Sequence, residues 1–195
     1  MKRMFRILTL ASLIAVVSSC NETRREQEQD SNEVAEEAND EKFEDNDMEK
    51  DADFIAEAVA SNYAEIKLAQ LAAQRSSNAE VKSIAKMLEA DHTKTLNELK
   101  AYAQTKAITV PVEEEDEAKR KIENLREEDA KDFDKKWIDE MEDKHEKSIN
   151  KFEKRLDKTE DAELKALVNK TLPHLKMHLE KIEACEEKLD DNKNL

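Results

Sequence analysis

Four histidines are the residues of this chain best suited to bind a metal ion. His92 and His145 each lie in the middle of the apolar face of an amphipathic stretch. His178 lies at the edge of a third apolar face, and His174 lies further out on that same stretch. Because neutral imidazole is a common ligand for transition metals, a histidine on an apolar face indicates either a metal ligand or a buried hydrogen-bonding group.

Helix geometry places three of these histidines near a common level. At about 1.5 Å per residue, His145 lies roughly 22 Å before the turn that precedes the last helix. His174 lies at about the same distance after that turn, and His178 lies about one helical turn further along the last helix. Around the turn between the first two long helices, His92 and Glu65 lie within about one helical turn of the same level. Helical proteins build metal sites from inward polar groups at one level. One hypothesis is therefore a transition-metal site (Fe, Zn, Mn or Cu) formed by Glu65, His92, His145 and His178.

A hydrogen-bonded layer is the alternative interpretation of the same residues. Buried histidines can bond to one another or to Asn62, Glu65 or Asp91, and so fix the register of the helices without a metal. Glu89 and Glu142 each precede a histidine by three residues, as in the Glu-x-x-His motif of di-iron bundles. Both point towards the edge of their apolar faces, and the chain is rich in glutamate, so this motif adds little to the metal interpretation.

The spacing of potential nucleophiles, bases and acids supports no catalytic triad, so we assign no catalytic residue. The Cys-x-x-Cys-His motif that attaches haem is absent from the sequence. We therefore favour a non-enzymatic protein with a structural, stress-related or interaction role. A metal-binding protein, or a metal-dependent oxidoreductase, is the alternative.

The N-terminal segment ends at a cysteine that could carry lipid. Basic residues within the first six positions precede an apolar run over 7–17, which is typical of a secretory signal peptide over 1–19. The sequence Val-Ser-Ser-Cys that ends at Cys20 resembles the lipobox of bacterial lipoproteins, which implies that Cys20 is lipidated and begins the mature chain. Asn21 is not the aspartate associated with retention at the inner membrane. We expect a cell-envelope lipoprotein of the outer membrane, facing the periplasm or the cell surface.

The composition excludes several classes of protein. The chain has 195 residues, a net charge of −15 and no glycine. Without glycine it contains neither a Gly-rich phosphate loop nor a dinucleotide-binding fingerprint. An acidic surface repels the phosphate backbone, so no nucleic-acid partner is expected. The partners that we expect are the membrane, through the lipid anchor, and another envelope protein.

The apolar pattern divides the chain into segments. Residues 20–50 contain few apolar side chains, which predicts a lipidated cysteine followed by a disordered acidic tether. Over 51–190, apolar residues recur at helical spacing in four long amphipathic stretches. A short helix is predicted around 114–126, between the second and third long helices, and 191–195 form a C-terminal tail. We therefore expect an all-α fold, an antiparallel four-helix bundle of the ferritin-like kind.

Polar residues mark the ends of two of these helices. Ser77 begins a Ser-Asn-Ala-Glu capping box at the start of the second long helix. Thr159 is predicted to cap the last helix. Pro173 lies inside that last helix, where we expect it to kink the helix or to free a carbonyl group.

Four segments of the chain resemble the domain-of-unknown-function 4142 family. The most specific is VKSIAKMLEADHTK over 81–94, and the others are 64–72, Phe133 to Trp137 with His145, and Leu172-Pro173 with His178-Leu179. The resemblance implies a ferritin-like bundle over roughly 51–190 in an exported protein, without an assigned activity. It also implies that the histidine and acidic positions that recur in the family are His92, His145, His178 and Glu65. Lys144 departs from the family pattern, which often has an acid directly before the third-helix histidine.

Overall fold

The computed structural model describes residues 30–44 and 46–193, and the regular structure within these ranges is entirely α-helical. The all-α class predicted from the sequence is therefore confirmed. No helix in the described ranges is both long enough and apolar enough to cross a membrane. Six helices follow one another in the described ranges: α1 (Ser31–Asp40), α2 (Asn46–Arg75), α3 (Ala79–Lys106), α4 (Asp116–Glu127), α5 (Ala130–Lys158) and α6 (Ala162–Lys193).

The four long helices α2, α3, α5 and α6 pack against one another. The connections between α2 and α3 and between α5 and α6 are three residues long, so each pair runs antiparallel. α2 packs on α3 and α5, and α6 packs on α5 and α3. Of the two short helices, α1 lies on α2, whereas α4 lies against α2 and α5.

Two apolar clusters fill the space between the long helices, and a polar layer separates them along each helix. The first cluster contains, among others, Phe54, Leu99, Phe152 and Val168. The second contains Leu68, Leu88, Trp137 and Ile182. This polar layer consists of Glu65, His92, His145 and His178, which are all buried. Each belongs to a different long helix and lies between the residues that its helix contributes to the two clusters.

Contacts on both sides of the polar layer fix the spacing of α2 and α5. On one side, the indole Nε1 of the buried Trp137 donates a hydrogen bond to the carbonyl oxygen of Leu68 at 2.9 Å. On the other side, the rings of Phe54 and Phe152 meet edge to face with centroids 4.8 Å apart. The polar layer therefore lies between a hydrogen bond and an aromatic contact that both join α2 to α5.

Two of the predicted helix caps are displaced by one or two residues. The cap of α3 is Asn78 rather than Ser77, because the Asn78 side chain accepts hydrogen bonds from two amides of the first turn. At the start of α6, Asp161 accepts from the Leu164 amide at 2.7 Å. The predicted cap Thr159 instead ends α5 and donates to the buried carboxylate of Asp51 at 2.8 Å.

The N-terminal part of the domain differs from the prediction. Residues 31–40, predicted as part of a disordered tether, form α1, and α2 begins at Asn46 rather than at residue 51. Asn39 holds α1 in place, since its Nδ2 donates to the Thr109 carbonyl at 2.9 Å and its Oδ1 accepts from the Thr109 amide at 2.8 Å. These contacts depend on tertiary structure and leave no periodic apolar pattern in the sequence.

The C-terminal end differs as well. α6 extends to Lys193, into the segment 191–195 that was predicted as a tail, and it continues as one helix through Pro173. The predicted signal peptide over 1–19 and the predicted lipidation site Cys20 lie outside the described residues.

Replacing Asn78 by alanine is expected to lower the free energy of unfolding by about 1 kcal/mol, because two amides of α3 lose their acceptor. Ser77→Ala is the matched control, since Ser77 is exposed and is not the cap. Urea unfolding of both variants measures the difference. Equal losses in the two variants would contradict the assignment of Asn78 as the cap.

Candidate metal centre

The polar layer brings three of the four predicted ligands, His92, His145 and His178, into one cluster in the core, and Glu65 lies beside two of them. The rings of His92, His145 and His178 face one another with centroids 5.2 to 5.4 Å apart. His145 Nε2 lies 3.4 Å from His92 Nε2 and 3.4 Å from His178 Nδ1. Glu65 Oε2 lies 3.0 Å from His92 Nε2 and 3.6 Å from His145 Nε2. None of the four residues is more than 2% exposed, and each comes from a different long helix.

Asn62 determines which ring nitrogen of His92 carries the proton. Asn62 Nδ2 donates to the Ala58 carbonyl at 2.7 Å, so Asn62 Oδ1 faces His92 Nδ1 at 3.0 Å. Because an amide oxygen only accepts, His92 Nδ1 is the donor. Burial lowers the pKa of His92 from 6.5 to about 4, against the opposing effect of Glu65. His92 is therefore neutral at pH 7, and its Nε2 directs a lone pair towards the other ligands.

The other two rings are oriented in the same manner. His145 Nδ1 lies 2.7 Å from the carbonyl oxygen of Met141, so Nδ1 is the donor and Nε2 is the nitrogen that lies near His92 and His178. His178 Nε2 lies 3.0 Å from the Asp91 carboxylate, so Nε2 is the donor and Nδ1 has the lone pair. Burial lowers the pKa of His178 despite the hydrogen bond to Asp91, which favours the neutral ring at pH 7.

Glu65 adds a carboxylate oxygen that lacks a donor. Its Oε1 accepts a hydrogen bond from Ser61 Oγ at 2.9 Å, but no donor among the described residues satisfies the buried Oε2. Burial acts to raise the pKa of Glu65, but the positive charges that His92, His145 and Lys144 carry when protonated outweigh burial and lower it.

The inward nitrogens of His92 and His178 and the Oε2 atom of Glu65 present lone pairs to the centre, which is unfavourable in a buried site unless a metal ion or a proton lies between the atoms. Around a tetrahedral ion with bonds of 2.0–2.1 Å, ligand atoms are separated by about 3.3–3.4 Å. Four of the six separations, 3.0, 3.4, 3.4 and 3.6 Å, lie close to that value. The ligand atoms of the three histidines all lie within 4.8 Å of one another, and Glu65 is not part of that group. The second nitrogen of each ring bonds to an amide, carbonyl or carboxylate oxygen, as is usual for histidines that bind metals.

Other residues considered in the sequence lie outside this centre. His174 is exposed. Glu89 accepts a hydrogen bond from Gln70 at 2.8 Å on the exposed side of the helices. Glu142 lies beside Glu186, and burial together with that carboxylate raises the pKa of Glu142. The Glu-x-x-His motifs therefore contribute histidines to the centre but no glutamate.

Two of the residues that orient the ligands, Asn62 and Asp91, were predicted from the sequence as hydrogen-bond partners of the histidines, and both contacts are present. Two further contacts were not predicted: the Ser61 hydroxyl with Glu65 and the Met141 carbonyl with His145. Because Met141 lies four residues before His145 on one helix, that contact could have been anticipated from the spacing.

In this all-α protein, each of the four long helices contributes one buried side chain to the candidate centre, three imidazoles and one carboxylate in all. A family model described as a domain of unknown function (DUF4142) matches residues 32–185. The chain therefore belongs to the DUF4142 family, as the sequence motifs predicted. The match begins inside α1 and so includes this helix in the domain.

A solved structure supports the fold. The chain is similar to the crystal structure of a DUF305 fragment from Deinococcus radiodurans, with a TM-score of 0.63 and 13% sequence identity. The similarity covers 70% of this chain and 95% of that chain. At this identity the likeness concerns the fold alone. No curated protein matches the chain.

Proposed function

We propose that this protein is a lipid-anchored protein of the bacterial cell envelope whose helical domain binds one first-row transition-metal ion. In this proposal α2, α3, α5 and α6 form an antiparallel four-helix bundle of the ferritin-like kind, and α4 is the extra short helix. Residues 1–19 are the signal peptide, and Cys20 carries the lipid that holds the domain at the outer membrane. The metal ligands are Glu65, His92, His145 and His178.

The observation that carries the proposal is the buried cluster of three histidine nitrogens with the Glu65 carboxylate beside it. Each imidazole bonds outwards to an oxygen acceptor through one ring nitrogen, and Glu65 Oε2 has no donor among the described residues. A hydrogen-bonded layer would need at least one proton between the inward atoms. Three imidazoles with one carboxylate suit zinc, copper, iron or nickel, whereas calcium and magnesium prefer oxygen ligands.

The proposed role is metal binding rather than catalysis. Once Glu65 and the three histidines are bound, four protein ligands surround the ion, which is typical of zinc sites that contribute to the stability of a protein. The structural or stress-related role expected from the sequence is compatible with this proposal, since an envelope protein that binds a metal needs no reaction of its own.

Elemental analysis of the full-length protein, purified without a histidine tag or chelator, tests the proposal. We expect about one metal ion per chain in the parent and none in His92→Ala/His145→Ala, because two of the four ligands are lost. His174→Ala is the matched control, since this histidine is exposed, and it is expected to retain the metal. At a free Zn²⁺ concentration of about 100 times Kd, the parent should gain about 2.7 kcal/mol of stability.

Absence of metal from the parent, together with unchanged melting in Zn²⁺, Fe²⁺, Mn²⁺ and Cu²⁺, would refute the proposal. A less stable double variant would then identify the histidines as a hydrogen-bonded core layer. The search for function would move to protein partners in the envelope.

A further inference from the structure

The metal centre is buried, so an ion that binds there needs a path through the surrounding helices. One cleft of about 310 Å³ reaches the centre between α2, α4 and α5. Its wall includes Glu65, His92 and Asn62 but neither His145 nor His178. The cleft therefore approaches the centre from the side of the carboxylate ligand.

A second approach to the centre is much smaller. It is a recess of about 20 Å³ beside Asp91, the residue that accepts from His178, and His174. A cavity needs roughly 10–15 Å³ to hold one water molecule, so the recess has room for about one water. A hydrated metal ion does not fit this recess, whereas the cleft beside Glu65 has room for an ion with several waters.

The charges along the cleft distinguish one lysine from the others. Lys151 pairs with Glu57 at 2.5 Å, and Lys147 pairs with Asp143 at 2.6 Å. Lys144, which also lines the cleft, forms no ion pair within the described part of the chain. Its positive charge acts directly on Glu65, one of the ligands.

We propose that this cleft is the path by which the metal ion enters and leaves the centre, and that Lys144 slows the entry by repelling the ion. The inference rests on the proposed metal site. Glu65 and His92 are the first ligands that an incoming ion meets, because both lie on the wall of the cleft. His145 and His178, which do not line the cleft, then replace the remaining waters. Lys144 lies on the wall of the cleft without an ion pair to any described residue, and its charge acts on two carboxylates of the same cleft, Glu65 and Glu115.

Two variants test the two parts of this inference. Ala118 lies on α4 and lines the cleft, so Ala118→Phe should fill the path and slow both uptake and release at least tenfold. Because both rates change together, the affinity should stay within about threefold. Lys144→Gln should speed uptake about three- to tenfold, because one repelling charge is removed.

The experiment is stopped-flow uptake of Co²⁺ by the metal-free full-length protein, followed through the visible bands of the bound ion, and release to excess EDTA. His174→Phe, which fills the smaller recess, and Lys181→Gln, an exposed lysine outside the cleft, are the matched controls and should leave both rates within twofold.

The outcomes separate this inference from the proposed function. If the parent binds one Co²⁺ and Ala118→Phe leaves both rates unchanged, the path is wrong and the metal site stands. If His174→Phe slows exchange instead, the ion enters beside Asp91 and the inference is again overturned. Equal rates in Lys144→Gln and Lys181→Gln would overturn the role of Lys144. A parent that binds no Co²⁺ would refute the metal site and this inference with it.

Discussion

In the metal-free protein, Glu65→Gln is expected to raise the free energy of unfolding by about 1–3 kcal/mol, while it weakens Zn²⁺ binding at least about a hundredfold. The stabilisation follows from the loss of a buried charge whose Oε2 has no donor. The new amide can donate to the lone pair of His92 Nε2, which lies 3.0 Å from that oxygen. The affinity falls because a neutral amide replaces the one anionic ligand. Thermal unfolding with and without Zn²⁺, combined with competition against a zinc indicator, measures both effects.

Glu114→Gln is the matched control for this substitution. Glu114 is also a buried glutamate, 3% exposed, but it pairs with Lys67 at 2.6 Å. The control should lose about 1 kcal/mol of stability and keep its Zn²⁺ affinity.

If the centre is instead a hydrogen-bonded layer, Glu65→Gln should lower the free energy of unfolding rather than raise it. If Glu65 were paired with a cationic histidine, breaking that buried pair would cost about 3–5 kcal/mol. A strongly destabilised metal-free Glu65→Gln would therefore count against the metal centre.

The second large effect is a loss of stability of the metal-free protein between about pH 6.5 and pH 4. Burial lowers the pKa of His92 in the folded state to about 4, so in this window the unfolded chain binds more protons than the folded one. Stability is therefore fully present above about pH 6.5 and is lost as the pH falls towards 4. The shift of His92 corresponds to at most roughly 3 kcal/mol, and His178 acts in the same direction.

One carboxyl group opposes this trend and supplies the control. Burial and neighbouring carboxylates raise the pKa of Asp53 from 3.8 to about 6. Asp53 therefore stabilises the folded state increasingly as the pH falls through 6. Asp53→Asn should make the acid loss steeper, and His92→Leu should make it shallower. Urea unfolding at pH 7.5, 6, 5 and 4.5 distinguishes the variants, and identical pH profiles for the parent and His92→Leu would contradict the assignment.

Bound metal should also change how the stability of the folded protein depends on pH. Because burial lowers the pKa of His92 to about 4 and also lowers the pKa of His178, protons compete with the metal for these two ligands only at lower pH. The stabilisation by Zn²⁺ should therefore persist at pH 5.5 and disappear towards pH 4, below the ordinary histidine range.

The helices that carry the centre were predictable because their apolar periodicity is strong. The stretches around His92 and His145 show this pattern, and the structure places both residues in the polar layer of α3 and α5. The distance along the helix alone would favour His174, because it lies closer than His178 to the height of His145. The position of His178 at the edge of the apolar face and the family resemblance both favoured His178, and this residue is buried in the structure.

The features that were missed depend on contacts between distant residues. α1 is polar, and it is held by the side chain of Asn39 on the backbone of Thr109, which no local pattern encodes. The caps were displaced because Ser77 and Asn78, or Thr159 and Asp161, are both acceptable capping residues at adjacent turns. The tertiary structure, which the local sequence does not encode, determines which of the two residues caps the helix.

The origin of the four ligands on four different helices has a consequence for the dynamics of the domain. Contacts within the centre join residues that are 33 and 53 positions apart in the chain. An ion bound to all four side chains would act as a cross-link, so no single long helix could detach without breaking a metal bond. In the metal-free protein, amide hydrogen exchange should show separate opening of individual helices. In the metal-bound protein, the slowest amides of all four helices should exchange at one common rate, that of global unfolding.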